Sequence, residues 1–195
     1  MKIIAATHNM GKIKEIQEIL GTIGFEVLSQ NDIGITVEPE ENGTTFAENA
    51  MIKARAVAGL CDFAVIADDS GLCVDALGGA PGVYSARYAG EDATDADKIK
   101  KLLSELSEEE NRSAKFVSSI ACILPDGEEI ITHGEVLGSI TYEVHGEGGF
   151  GYDPVFFSDE LGKTFGEATA DEKNKVSHRS RALKALFDIL TEREF

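Results

Sequence analysis

The spacing of hydrophobic residues along the chain changes between two periods, which predicts alternating strands and helices. Lys2–Ala6 is an apolar run of strand length, and Gly11–Leu20 repeats isoleucine and leucine at helical spacing. A second strand is predicted at Glu26–Leu28, and the apolar segment Phe63–Ala67 predicts a strand that leads directly into Asp68. The pattern therefore indicates a mixed α/β protein.

Capping signals indicate where the remaining helices begin. Thr45 and Glu48 form a capping box, in which each side chain can bond to a backbone amide at the start of a helix. Thr94 followed by Asp97 predicts a second such start, and the final helix is predicted to begin near Ser177.

Turn residues organise the second half of the chain. Phe116–Leu124 and Glu128–Val136 flank a Pro-Asp-Gly turn and are predicted to form a hairpin. Gly146–Asp153 is a glycine-rich loop, and Pro154–Phe157 is predicted to be a short strand.

Length and composition predict one folded domain over residues 1–195, with 43% hydrophobic and 27% charged residues. No apolar run reaches the ~20 residues of a membrane helix, and the start lacks a secretory signal, so we expect a cytoplasmic protein. Cys61, Cys73 and Cys122 are odd in number and widely spaced, which argues against a disulfide framework or a zinc site.

The formal net charge of −17 restricts the possible partners, because a strongly acidic protein repels nucleic acids and anionic membranes. We therefore expect neither as a partner. A phosphate-bearing substrate would also be repelled unless a bound cation or well-placed lysine and arginine side chains reversed the sign locally.

Residues Thr7, His8, Asn9, Met10, Gly11 and Lys12 lie between a predicted strand and a predicted helix. Amides at a helix N-terminus favour an anion, and Lys12 adds a full positive charge, so this segment is a candidate phosphate-binding loop. It lacks the spacing of a Walker A loop. Seen alone, a capped turn with a solvated lysine remains the alternative.

Two acidic segments are candidate metal ligands. Glu38, Glu40 and Glu41 share one loop, and Asp68 and Asp69 follow a predicted buried strand. Mg²⁺ prefers oxygen ligands and commonly takes one or two carboxylates together with substrate phosphates. The alternative is a solvated acidic loop and a helix cap, and Asp69 fits that alternative least.

Two segments in the last third of the chain are candidates for ligand contacts. The glycines around Phe150 allow close approach to a flat ligand, on which the ring could stack, although a tight turn with core aromatics explains them equally well. His178 and Arg179 are predicted in the first turn of the last helix. A cation there opposes the helix dipole, so Arg179 is expected to meet an anion or a carbonyl group. The alternative for both residues is a solvated side chain at the surface.

Taken together, these motifs resemble the inosine/xanthosine triphosphate pyrophosphatases, the Ham1-like non-canonical purine NTP pyrophosphatases. The resemblance extends through nearly the whole chain in a shared order and spacing. The matching stretches are Thr7–Lys12, Thr45–Ala50 with Lys53 and Ala54, Ala67–Gly71, Gly78–Tyr88, Gly149–Pro154 and Ser177–Arg179.

The resemblance implies a role for each matching residue. Glu40 and Asp69 would bind Mg²⁺, and Asp69 would also accept the proton of the attacking water. The implied substrate contacts are Thr7, His8, Asn9, Met10, Gly11, Lys12, Asn49, Lys53, Ser70, Phe150, Gly151, Tyr152, Asp153, Lys173, His178 and Arg179.

The same resemblance implies a long, curved mixed β-sheet with flanking helices, two lobes around a central cleft, and a homodimer. It implies hydrolysis of ITP, dITP and XTP to the monophosphate and pyrophosphate, which cleanses the nucleotide pool. Three alternatives stay open: a nucleotide sensor without hydrolysis, a pyrophosphatase for another base such as the Maf-like enzymes, and an enzyme directed at damaged bases such as hydroxylaminopurine.

Overall fold

A computed structural model describes residues 2–192 of the protein and contains strands and helices in alternation. The elements are β1 (Lys2–Ala5), α1 (Met10–Gly21), β2 (Glu26–Ser29), α2 (Phe46–Ala58), β3 (Ala64–Val74), α3 (Asp95–Glu105), β4 (Ser113–Ile123), β5 (Glu129–Ile140), β6 (Phe156–Ser158), β7 (Lys163–Thr164), α4 (Ala170–Val176) and α5 (His178–Thr191). Across residues 2–192, no helix is both long and apolar enough to span a bilayer.

The strands form one seven-stranded sheet in the order β2-β1-β3-β4-β5-β6-β7. The strand β1 pairs in parallel with both β2 and β3, whereas β5-β6 and β6-β7 are antiparallel. The predicted mixed α/β fold, with helices flanking a sheet, is thus confirmed. The predicted lobes and cleft stay predictions of the resemblance.

The chain divides into two compact units, and neither is a continuous segment. The first unit consists of residues 2–69, Ser118–Gly134 and 178–192, and the second of Ser70–Val117 and Glu135–Ser177. The prediction of a single domain over residues 1–195 stays a prediction.

In the first unit, alternate residues of β3 pack against different helices. Ala64 and Ile66 belong to a buried cluster that includes residues of α1 and α5, whereas Val65 and Ala67 belong to one that includes residues of α2. This is the expected consequence of the two-residue period of a strand that is covered on both faces. The same alternation continues to Asp68 and Asp69, and it decides what each of them contacts.

In the second unit, a separate core forms around α3, β6 and the inward residues of β4 and β5. Three phenylalanines lie at its centre, with ring centroids 4.5 Å apart for Phe116 and Phe156 and 5.1 Å apart for Phe156 and Phe165. Tyr152, at the end of the glycine-rich loop, is buried in the same core. The loop is therefore anchored at that end.

Most predicted boundaries are close to those observed, and the capping boxes at Thr45 and Thr94 are confirmed. Two predicted boundaries were wrong. The strand predicted at Pro154–Phe157 begins only at Phe156, after a 3₁₀ turn at Asp153–Val155. The strand β3 does not end at Ala67 but continues to Val74. The apolar residues Leu72 and Val74 are fully buried, so extending the strand gains hydrophobic burial on the far side of the two aspartates.

Candidate active site

The parallel strands of the first unit create a natural place for a ligand. From β1 the chain runs through α1 to β2 on one side, and from β2 it runs through α2 to β3 on the other side of β1. Ligands of open α/β sheets bind beyond the carboxyl ends of strands at such a reversal. Thr7–Lys12 follows β1 at this point, and Asp68 and Asp69 lie on the neighbouring β3.

The segment after β1 is shaped by local hydrogen bonds. Asn9 caps α1, because its side-chain oxygen accepts a bond from the Lys12 amide at 3.1 Å, and Thr7 Oγ1 accepts one from the Asn9 amide at 3.1 Å. His8 Nε2 lies 3.1 Å from Gln30 Nε2. Met10 is 72% exposed, so the positive end of the α1 dipole is open to an anion.

Asp68 joins a buried ion-pair cluster on the face covered by α1 and α5. Its Oδ2 lies 2.8 Å from Lys12 Nζ and 3.1 Å from Arg179 Nη2, and its Oδ1 accepts a bond from Ser118 Oγ at 2.6 Å. Arg179 also donates to Glu15. The predicted position of Arg179 in the first turn of α5 is confirmed, and the anions that it meets are two buried carboxylates of the protein itself.

Asp69 has a different neighbour on the α2 side of the sheet. Lys53 Nζ lies 3.0 Å from Asp69 Oδ1 and 3.1 Å from Glu41 Oε2. The second oxygen of Asp69, Oδ2, is buried and accepts no hydrogen bond within residues 2–192. A buried acceptor without a donor is costly, so this oxygen is suited to a ligand that brings a positive charge or a proton.

The acidic loop before α2 brings Glu41 to this cluster through Lys53, whereas Glu40 is exposed. Asn49, predicted as a substrate contact, is only 2% exposed, and its side-chain oxygen accepts a bond from the Gly43 amide at 2.9 Å. In this structure Asn49 therefore ties the acidic loop to α2. The substrate contact of Asn49 and the metal-ligand role of Glu40 stay predictions.

Burial and neighbouring charges shift the ionisation of the two aspartates in opposite directions. Burial alone would raise the pKa of Asp68, but Arg179 and Lys12 outweigh it and keep that pKa well below its ordinary value. For Asp69 burial dominates and raises the pKa, because Lys53 opposes it only in part. The single charge of Lys53 is shared between Asp69 and Glu41.

The lysines are shifted by the same environment. Burial lowers the pKa of Lys12 despite the attraction of Asp68, and repulsion by Lys53 and Arg179 adds to that lowering. Burial alone would also lower the pKa of Lys53, but Asp69 and Glu41 outweigh it and raise that pKa. Both effects reflect charges held close together with little solvent between them.

The charges of this cluster nearly cancel. Among residues 2–192, the ion pairs given above join three cations (Lys12, Lys53 and Arg179) to four carboxylates (Glu15, Glu41, Asp68 and Asp69). The cations predicted from the sequence are thus gathered around the two aspartates. They do not reverse the sign of the local charge by themselves, so a polyphosphate would need an additional cation here.

A second cluster lies within the second unit, at the glycine-rich loop. Lys173 Nζ lies 2.6 Å from Asp153 Oδ2 and 4.9 Å from the centroid of the Phe150 ring. The same Asp153 oxygen accepts a bond from the Phe150 amide at 3.0 Å. Lys173 and Asp153 are buried, whereas Phe150 is half-buried. The structure thus brings together an aromatic face, a cation and a carboxylate that the sequence places 23 residues apart at most.

This loop is held by contacts on several sides. Tyr152 donates its hydroxyl hydrogen to the Ser85 carbonyl oxygen at 2.7 Å, and the Gly151 amide donates to Asp95 at 2.8 Å. Gly149 has φ +71°, and a Cβ there would lie 2.0 Å from Asp153 Oδ2. Only glycine therefore allows the loop to close over the Asp153 side chain.

Two residues of the first cluster had no predicted role. Glu15 and Ser118 were not singled out, and Glu41 was left as an alternative to Glu40. Glu15 is three residues after Lys12, which places both on one side of α1 and could have indicated a paired charge. Ser118 gives no local signal, because its role depends on the neighbouring strand. Ser70, which follows Asp69 on β3, is half-buried.

Comparison with known proteins gives consistent matches over nearly the whole chain. The model of the Ham1 family matches residues 3–189. The dITP/XTP pyrophosphatase of Bacillus subtilis is 53% identical over 189 residues, covering 96% of each chain. That of Escherichia coli is 46% identical over 197 residues, covering 97% of this chain and 98% of the relative.

Solved structures agree with the sequence matches. The Staphylococcus aureus Ham1 protein superposes with a TM-score of 0.88 at 40% identity, covering all of both chains. A Ham1 protein from Coxiella burnetii also gives 0.88, at 41% identity, covering 99% of this chain and all of the other. With the same fold, and with relatives about half identical along nearly its full length, this chain belongs to the Ham1 family.

Proposed function

We propose that this protein hydrolyses non-canonical purine nucleoside triphosphates, such as dITP, XTP and ITP, to the nucleoside monophosphate and pyrophosphate. The relatives that cover nearly its whole length carry the name dITP/XTP pyrophosphatase. The observation that carries the proposal is the gathering of Lys12, Lys53 and Arg179 around Asp68 and Asp69 at the sheet reversal.

A divalent metal ion, Mg²⁺ in our proposal, fits the donors of the first cluster. Asp69 Oδ2 is a buried carboxylate oxygen without a hydrogen-bond donor among the described residues, and Glu41 converges with Asp69 on the same ammonium group. Asp69 and Glu41 would therefore hold the ion, with Glu40 as the alternative implied by the resemblance. When bound, Mg²⁺ supplies positive charge that neutralises the phosphates and polarises phosphorus.

The residues around Asp69 are suited to phosphate hydrolysis. Asp69 accepts a proton from the attacking water, the role of a general base. Lys12 and Lys53 stabilise the charge that develops on the leaving pyrophosphate. The helix start at Asn9, with Thr7 beside it, orients the phosphate chain. His8, Met10, Gly11, Asn49 and Ser70 stay predicted contacts of the substrate.

The second cluster supplies groups that bind a purine. Phe150 offers a ring for stacking, and Lys173 can donate a hydrogen bond to a six-oxo group, which adenine lacks. Gly151, Tyr152 and Asp153 would form the loop beneath the base. A site built from donors rejects an amino group, because a buried donor loses its partner.

His178 and Arg179 are predicted to contact the purine six-position. Arg179 is 1% exposed and bonded to Asp68 and Glu15, so such a contact requires one of these pairs to open. Replacing Arg179 should then lower the preference for ITP over ATP only if the opening occurs in the substrate complex.

The two glutamates of the acidic loop should differ in their effect on the metal. We expect Glu41→Gln to raise the Mg²⁺ concentration for half-maximal activity by about tenfold, because it removes one of the two carboxylates that converge on Lys53. Glu40→Gln is the matched control and should cause a smaller change. Titrating pyrophosphate release with Mg²⁺ measures both, and a larger effect at Glu40 would restore the assignment implied by the resemblance.

The shape of the glycine-rich loop should also matter for the base. Gly149→Ala is expected to raise KM for dITP by about tenfold or more, because its Cβ would meet the Asp153 carboxylate at 2.0 Å. Gly162→Ala is the control: its φ of +66° causes similar backbone strain, but its Cβ meets nothing within 4 Å and it lies outside this loop. Equal KM values for the two variants would mean that the contact with Asp153 is unimportant.

A panel of nucleotides tests the function itself. The protein is incubated with dITP, XTP, ITP, GTP, ATP and a hydroxylaminopurine triphosphate, with and without EDTA, and pyrophosphate is measured. We expect fast release from the six-oxo substrates, little from ATP, and none in EDTA. Binding without release would indicate a nucleotide sensor, and preference for another base would indicate a different pyrophosphatase.

Two broader expectations accompany the proposal. The resemblance implies a homodimer, and the acidic net charge of −17 disfavours nucleic acid as a partner. Sedimentation of the purified chain at low and high salt tests the homodimer. We expect a mass of about twice the 20.9 kDa of one chain.

A further inference from the structure

Asp68 and Asp69 are adjacent in sequence but have different surroundings. Because successive side chains of a strand point to opposite faces, Asp68 lies on the side of α1 and α5, and Asp69 lies on the side of α2. Asp68 is 1% exposed, and both of its oxygens accept bonds from other side chains. Any effect of Asp68 on a substrate must therefore pass through the residues that it contacts.

Those contacts connect two residues from distant parts of the chain. Asp68 Oδ2 accepts bonds from both Lys12, at 2.8 Å, and Arg179, at 3.1 Å. Lys12 Nζ also donates to the Asp68 carbonyl oxygen at 3.3 Å. Asp68 Oδ1 accepts a bond from Ser118 Oγ at 2.6 Å, and Ser118 is fully buried on the neighbouring strand β4. Ser118 therefore fixes the carboxylate on the side away from the two cations.

The ion pairs of Asp68 affect how Lys12 and Arg179 can bind a ligand. A lysine side chain loses much rotational freedom when a ligand orders it, and that loss weakens binding. Pairing with a buried carboxylate orders Lys12 in advance, and the shared oxygen fixes its ammonium group relative to the guanidinium group of Arg179. We propose that Asp68, held by Ser118, is a positioning residue that orders Lys12 and Arg179 together for the substrate. This inference rests on the proposed function.

The test begins with Ser118→Ala, which removes only the hydroxyl group behind the carboxylate. A hydrogen bond to a charged group is strong enough that we expect Kd for inorganic tripolyphosphate with Mg²⁺, and KM for dITP, to rise by about tenfold. The value of kcat should change less. Asp68→Asn should cause a larger change in the same direction, and adding Ser118→Ala to it should cause little further change, because both act on one interaction.

The chain offers a matched control in the next residue. Ser119 is 2% exposed on the same strand, and its Oγ lies 2.9 Å from His133 Nδ1, outside the ion-pair cluster. Ser119→Ala should therefore leave both Kd and KM at their original values. Thermal unfolding of each variant separates positioning from stability, because a merely structural role would lower the unfolding temperature without changing Kd.

The proposal is overturned if a folded Ser118→Ala protein binds tripolyphosphate as tightly as Ser119→Ala. Should Asp68→Asn fail to fold, the comparison of the two serine variants still decides the question. Absence of pyrophosphate release from dITP by the unaltered protein would refute the proposed function. Calorimetric binding of tripolyphosphate would still decide the positioning role, so the two failures are distinguishable.

Discussion

Asp69→Asn is expected to lower kcat for dITP by about 10²–10⁴-fold, the usual contribution of a general base. Asparagine preserves the shape of the side chain but cannot accept the proton of the attacking water. It also replaces one carboxylate oxygen by an amide nitrogen and removes the negative charge that we propose for metal binding at Oδ2. The measurement is the initial rate of pyrophosphate release at saturating dITP and Mg²⁺.

Asp62→Asn is the control for this variant, because Asp62 is an exposed aspartate just before β3. Its kcat should match that of the unaltered protein. Both variants should be checked for folding by circular dichroism. A folded Asp69→Asn protein that retained near-normal turnover would remove Asp69 from the chemistry.

Arg179→Met is expected to lower the free energy of unfolding by about 3–5 kcal/mol, the cost of breaking a buried ion pair. The guanidinium group is 1% exposed and bonded to both Asp68 and Glu15. Removing it leaves two carboxylates in a buried environment with one fewer cation. Denaturant unfolding at neutral pH measures the effect.

Arg55→Met provides the comparison for stability. Arg55 makes a two-bond contact with Glu129, at 2.7 Å for each bond, but its side chain is 61% exposed. Exposed ion pairs contribute about 0–1 kcal/mol, so this variant should be nearly as stable as the original protein. Equal losses of stability at Arg55 and Arg179 would contradict the role of burial in the cluster.

Much of the fold could be predicted from local sequence, because local chemistry determines helix starts and strand periods. The capping boxes at Thr45 and Thr94 predicted the first residue of two helices to within one position. The helix α4 was missed, although Thr169 and Glu172 form the same box, because its seven residues carry too short a hydrophobic pattern. The extension of β3 past Asp69 was also missed, since two adjacent charges are unfavourable in a strand unless tertiary partners neutralise them.

The candidate site was only partly predictable for a related reason. The sequence places Lys12, Lys53 and Arg179 far apart, and only the resemblance indicated that they share a site. The carboxylates that neutralise them, above all Glu15 and Asp68, depend on how α1, β3 and α5 pack. Sequence reasoning predicted that a bound cation or lysine and arginine side chains reverse the sign locally, and it did not predict that these side chains pair with buried carboxylates. Such pairing is expected, because an unpaired buried cation is too costly.

The pairing of these cations with carboxylates changes how metal and substrate are expected to bind. A free triphosphate meets a cluster whose cations are already paired, so we expect it to bind weakly unless a divalent ion comes with it. Lys53 is paired with both Asp69 and Glu41. Metal and substrate should therefore strengthen each other's binding.

The most direct measurement is the identity of the products formed from dITP. We expect equal amounts of dIMP and pyrophosphate, formed only when Mg²⁺ or a similar divalent ion is present. Release of orthophosphate with dIDP as an intermediate, or equally fast hydrolysis in excess EDTA, would contradict this expectation.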